Sequence, residues 1–316
     1  MVALRALGLG IVAASFGASV GALYLLQYLY TQRRRSGANW FIGNIASVAL
    51  FCLSYGAALL VFDPIARTVL EAVAFVSVCF MGPFFLAFGL SYTGRQRLVR
   101  TPLFGIVGAV PLLTVGLVAT NAAHGLVWTG FQFEPLFGLA TVTYTVQPWG
   151  VFALLFSIGT AAVGSLLLIG AILSYGPLYR REATAVILST VPPSVGVFVW
   201  LFEIGPTPEL HLTAPLMLVH VTLDAYAFIG THMFETNPAT QRAAERSGLD
   251  SLSVSSILFK RTLGKTSSVE VVSSERTYVT QNVWDLNVYL EIFLNPVDWR
   301  RVSTNPIVDC CTDEKG

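Results

Sequence analysis

Seven runs of about twenty mostly apolar residues, each the length needed to cross a hydrocarbon core, follow one another between short polar stretches. They are Ala6–Tyr30, Trp40–Phe62, Val69–Leu90, Pro102–Thr120, Pro148–Ser174, Ala183–Phe202 and Thr213–Met233. Each reads as a membrane-spanning helix. The first is preceded only by Arg5, as a secretory leader would be. It is long for one, however, and Arg33, Arg34 and Arg35 follow it where a cleavage site would show small residues. It is expected as a retained helix. Proline inside the runs (Pro83, Pro111 and the pair Pro192–Pro193) predicts kinks whose freed carbonyls are satisfied by neighbours in a packed bundle.

Composition agrees with this pattern. Only 12% of the 316 residues are charged while 54% are hydrophobic, far from the quarter or so of charged residues usual in a soluble domain. The net charge of +1 gives no sign of a nucleic-acid partner; the expected partner is the lipid bilayer. Arginine sets the orientation. Arg33–Arg35, Arg95, Arg97, Arg100, Arg180 and Arg181 lie on one side, against Arg5 and Arg67 on the other. The positive-inside rule makes the first side cytoplasmic, with the amino terminus outside. Trp40, Trp128 and Trp149 near the predicted ends suit an interfacial aromatic belt. The expected fold is an all-α membrane protein, a seven-transmembrane helix bundle in the cell membrane. An extracellular β-hairpin is expected in the long loop Asn121–Gln147, where Leu126–Thr129 and the alternating Ala140–Val146 flank Glu134-Pro135. A short cytoplasmic tail follows the last span.

After Met233 the character changes. Asn237-Pro238 is a cap and first-turn pair for a new helix extending to about Leu252. Serine-rich and β-prone stretches follow, including Val269–Thr280. The organisation expected is a membrane domain over residues 1–236, a cytoplasmic connector helix over 237–252, and a degenerate or partly disordered tail over 253–316. Cys52 and Cys79 sit inside apolar runs and Cys310 and Cys311 near the end. None has metal-ligand spacing, and neither a metal nor a cofactor is expected.

Three passages carry a resemblance. They are Phe84–Phe88 leading into Ser91-Tyr92-Thr93-Gly94-Arg95; Thr120-Asn121-Ala122-Ala123-His124-Gly125-Leu126-Val127-Trp128; and Phe234–Pro238 with Arg242–Arg246 and Leu249–Leu252. Together with the helix count, they are similar to the N-terminal seven-transmembrane sensor region of prokaryotic histidine kinases, a type common in haloarchaea, over residues 1 to 252. The resemblance implies a sensor whose last helix drives a cytoplasmic PAS or kinase module through the connector. A homodimer through the connector and a separate cytoplasmic kinase are the partners expected of such a module, and the stimulus is unnamed. This sequence departs from the family pattern after the connector. His232 is its last histidine, and Gly264 and Gly316 are the only glycines after Gly248. Neither a phospho-acceptor histidine nor a glycine-rich nucleotide lid is expected here, and so no catalysis. Ile257-Leu258-Phe259 and Tyr278–Asn282 resemble the first strands of a PAS fold, with too few residues after them to close the sheet.

Ionisable residues inside spans are rare, because a charge at the bilayer centre costs at least about 2.5–3.5 kcal/mol. The last span has two, His220 and Asp224, four apart and so on one helix face. They read either as an intramembrane site for a stimulus or as a mutually satisfied packing pair. Arg67 and Glu71 are expected as an interfacial ion pair. His124 and Trp128 form a candidate outer-loop site, with a structural loop histidine as the alternative. Glu203, Glu209 and His211 crowd one short loop without an established metal spacing. A retinal protein is excluded, since its Schiff base needs a lysine in a membrane helix and the first lysine is Lys260. The leading reading is a sensory, signal-transducing module; a small-solute transporter or channel is the alternative.

Overall fold

A computed structural model gives the fold and describes residues 2–175, 180–204, 210–231, 233–234, 269–272 and 277–280. The chain forms two units, Met1–Ala239 and Thr240–Gly316. In the first, α1 (Val2–Thr31), α2 (Ala38–Ala58) and α3 (Pro64–Tyr92) are followed by the single turn α4 (Gln96–Val99), α5 (Pro102–Ala119) and the turn α6 (Asn121–His124). The hairpin strands β1 (Trp128–Phe133) and β2 (Val142–Val146) come next, then α7 (Pro148–Tyr175), α8 (Arg180–Leu201) and α9 (Thr213–Ala225). A π-helical turn, Tyr226–Gly230, continues α9. Seven of these helices, namely α1, α2, α3, α5, α7, α8 and α9 with its π turn, are long and apolar enough to cross a membrane.

The helix starts follow local chemistry. Asp63 caps α3, its carboxylate accepting the Ala66 N–H at 2.8 Å, and Pro64 occupies the first turn, where no N–H is needed. The helix therefore begins about a turn before the apolar run and includes Arg67 and Glu71. Thr101 and Pro102 start α5 in the same way.

Helix α3 lies at the centre, against α2, α7 and α5, whereas α9 packs on α8 and α1. Gly82 permits the closest α3–α7 approach, for a Cβ there would fall 1.9 Å from the Ser157 carbonyl oxygen. Phe41, Phe88 and Phe228 knit α2, α3 and the π turn at ring separations of 4.3 to 6.0 Å. Helix α5 is the least buried of the seven.

The hairpin is antiparallel, with Trp128 opposite Val146 and Phe133 opposite Val142. Its register shifts between Thr129 and Gln132, where Gly130 takes φ +68°. Trp128 belongs to this sheet and not to an aromatic belt: it is buried, its ring 5.5 Å from Phe75 and 5.8 Å from Tyr144. In the second unit β3 (Val269–Val272) pairs antiparallel with β4 (Thr277–Thr280), within the stretch read as β-prone. The connector helix expected over 237–252 and the rest of the tail lie outside the described residues.

Candidate functional site

The site begins with a proline. Helix α8 runs through Pro192 and Pro193, and each lacks the N–H that would bond the carbonyl four residues earlier. The Ser189 carbonyl, four before Pro193, is therefore free to accept from outside its helix. His220 of α9 takes it, its Nδ1 standing 2.9 Å from Ser189 O. One turn on, Asp224 Oδ2 lies 3.3 Å from His220 Nε2, with the two side chains 5% and 0% exposed. The structure thus brings the predicted pair together in the bundle interior.

His220 also lines a cavity of about 50 Å³, with Asn44, Gly82, Ser157, Pro193 and Ser194 among the other walls. That is room for a few waters at most. A second interrupted helix meets it there. Ser157 of α7 accepts the Gly82 N–H at 3.1 Å and donates to Val78 O at 2.7 Å. Its hydroxyl is inserted into the α3 backbone ladder one residue before Pro83. The inserted hydroxyl satisfies the backbone groups beside Pro83, as irregular membrane backbone requires where no water reaches it.

A second buried polar cluster sits at the hairpin end of the bundle. Arg67 Nη1 donates to Glu71 Oε2 at 2.6 Å and Arg67 Nε to Ala140 O at 2.7 Å, while the Tyr144 hydroxyl donates to Glu71 Oε1 at 2.7 Å. Expected at the interface, the ion pair is instead almost fully enclosed, because the early start of α3 carries it beneath the hairpin. His211 is drawn in as well. Its ring stacks on Trp200 at 3.7 Å, its backbone N–H donates to the Tyr55 hydroxyl at 2.8 Å, and Nε2 is 3.6 Å from Glu71 Oε1. Burial lowers its pKa to about 4, outweighing the opposite pull of Glu71. Burial, then the nearby Glu71 charge, raises Tyr144 well above its ordinary value. The cluster clasps α2, α3, α8, the hairpin and the start of α9 together. Glu203 of the same loop is exposed, and Glu209 lies outside the described residues. Among the described residues no three His, Cys, Asp or Glu side chains could hold a metal ion.

The candidate loop residues behave differently. His124 serves its own turn: Nδ1 accepts the Leu126 N–H at 3.0 Å, and Nε2 pairs with Thr120 Oγ1 at 3.0 Å. Trp128 is committed to α3 and β2 by its ring contacts. Both border one broad groove of about 990 Å³ between α3 and α5. The residue that organises this loop is Asn121. Its amide donates to Trp128 O at 2.8 Å and its carbonyl oxygen accepts from Val127 N–H at 3.0 Å. Sequence reasoning did not single it out. Its placement at the head of a turn and seven residues ahead of a strand start was the available signal. Pro193 and Ser189 were missed as partners of His220. The signal there was a proline pair in the span preceding one that carries two ionisable residues.

A family model described as the N-terminal 7TM region of histidine kinase matches residues 12–238. No curated protein and no solved structure matches.

Proposed function

The chain belongs to the family of N-terminal seven-transmembrane regions of histidine kinases, and from that premise we propose that it is a membrane sensor whose input is the His220–Asp224 site and whose output is the exit of α9. One observation carries this reading. The buried pair and the π turn Tyr226–Gly230 are consecutive on the same helix, so a change at one is felt within a single turn by the other. π-Helical turns recur at functional positions because their extra residue can be redistributed along the helix. A stimulus binding one arrangement of α9 better than another would shift the population and move whatever follows Phe234.

The arginine pattern supports placing that exit in the cytoplasm and the hairpin outside. In this reading the exit of α9 passes its state through the connector to the histidine-kinase module that the family's description implies. The small volume of the cavity beside His220, about 50 Å³, supports a site for small occupants rather than a solute pathway.

The test is a spin label at Gly248→Cys in a background without native cysteines. Asp224→Asn keeps the shape and removes the charge. The sensor reading expects altered label mobility at unchanged expression and helicity. An unaltered spectrum, with only thermal stability reduced, would assign the pair to packing alone.

A further inference from the structure

We propose that His220 and Asp224 form a binding site for one proton, shared between His220 Nε2 and Asp224 Oδ2, and that this proton is the ligand of the intramembrane site; the inference rests on the sensor reading of α9 above only where it assigns the proton a signalling role.

A carbonyl oxygen only accepts, so the 2.9 Å contact with Ser189 O requires the hydrogen on Nδ1. Pro193 is the reason that this carbonyl is available. With Nδ1 protonated, a neutral imidazole points its Nε2 lone pair at Asp224 Oδ2, 3.3 Å away. A lone pair facing a carboxylate is repulsive. One proton between them turns the contact into a hydrogen bond, whether it resides on the ring or on the carboxyl. The pair with its proton is neutral overall, which is the arrangement a dry interior tolerates. Release of the proton to water leaves the pair with a net charge of −1 and restores the repulsion. The imidazole must then turn from Asp224 or leave Ser189 O, and either motion alters how α9 lies on α8.

The surroundings offer little else to balance that charge. Helix α1 meets this part of α9 with Gly17 against Leu218 and Gly21 against Val221. The tyrosines of α1 are Tyr24, Tyr28 and Tyr30, of which Tyr24 and Tyr30 are mostly exposed. From α2 the cavity receives Asn44, while Tyr55 is engaged with His211 N at the other end of the helix and Cys52 is a buried thiol. Helix α8 sets the Ser189 hydroxyl beside the Asp224 carboxylate, a neutral donor that eases the charge without cancelling it, and contributes Thr190 and Ser194 to the cavity; its Glu182 lies seven residues before Ser189, about 10 Å along the axis. The α3 and α7 walls of the cavity carry no ionisable side chain. The Arg67–Glu71 clasp meets His211, nine residues before His220 and about 13 Å away along α9. Tyr226, on the π turn, is half exposed. No described cation stands where it could replace the proton.

The experiment uses the full chain in lipid nanodiscs with ¹⁵N-labelled histidine rings. His220 is identified by the signals lost in His220→Gln. Should that variant fail to fold, the triple variant His124→Gln, His211→Gln, His232→Gln leaves His220 as the sole histidine. The expected result near neutral pH is a protonated Nδ1 and an Nε2 shifted by a proton held against Asp224. Raising the pH should abolish the Nε2 shift in a one-proton step, and Asp224→Asn should abolish the step. A free Nε2 lone pair at every pH, identical in Asp224→Asn, would overturn the proposal. So would a transition that follows sodium concentration at fixed pH, since the ligand would then be a metal cation. The Gly248→Cys label, read in the same samples, judges the sensor reading separately. A step at His220 with an immobile connector leaves the proton site standing and removes its signalling role. A connector that responds to another stimulus while His220 never titrates does the reverse.

Discussion

Ser157 shows how much one hydroxyl decides in this bundle. It accepts from Gly82 and donates to Val78, so the backbone groups beside Pro83 keep their bonds without water. Ser157→Ala removes both, and a lost buried hydrogen-bond partner costs about 1–3 kcal/mol. Gly82→Ala should be worse, because its Cβ meets backbone at 1.9 Å and neither helix can yield cheaply. Overpacking of this kind costs about 1–3 kcal/mol or more, and thermal unfolding of purified variants should rank Gly82→Ala below Ser157→Ala. Glu71→Gln leaves the Arg67 guanidinium uncompensated, a loss of about 3–5 kcal/mol for a buried pair. The double variant Arg67→Leu, Glu71→Leu should be less damaging than either single change, which a double-mutant cycle reads directly. His211 adds a pH dependence. Its folded pKa of about 4 lies below the ordinary 6.5, so the folded state resists a proton that the unfolded chain accepts. Its contribution is fully present above pH 6.5 and is lost as the pH falls towards 4, at up to about 1.4 kcal/mol per pH unit. Between pH 7 and 4.5 the Tm should fall more steeply with pH for the wild type than for His211→Gln.

Among the elements, α8 and α9 carry the functional argument and α3 the architecture. Helix number, the hairpin and the inward placement of His220 and Asp224 were legible, because apolar run length, β-branched alternation and the cost of lipid-facing charge each act locally along the chain. The clasp was not. Arg67, Tyr144 and His211 come from a helix, a strand and a loop far apart in sequence, and no periodicity links them. Nor was the Pro193–Ser189–His220 relation legible, since a freed carbonyl announces itself but not its partner. That relation is testable at the element scale. Pro193→Ala restores an N–H that can bond Ser189 O within α8. It should straighten α8 and raise thermal stability, while His220 loses its fixed tautomer. Ring ¹⁵N signals that keep Nδ1 protonated in Pro193→Ala would show that the proline does not set the tautomer.

For the molecule as a whole, orientation turns the site into a device with a direction. If the arginine-rich loops face the cytoplasm, the clasp and hairpin meet the outside and the π turn meets the connector. Single cysteines at Arg34 and Gln96, both exposed positions, should resist impermeant thiol reagents in intact cells, and one at Gln132 on the exposed rim of the hairpin should react. Reversed labelling would invert the device and with it the proposed direction of signalling. The central claim is that the His220–Asp224 site and the exit of α9 are one mechanical unit. Hydrogen exchange over residues 226–231, compared between the wild type and Asp224→Asn in nanodiscs, tests it most directly. The account predicts faster exchange in that segment with the α2–α3 core unchanged. Equal exchange in 226–231, or a uniform rise across every helix, would contradict it.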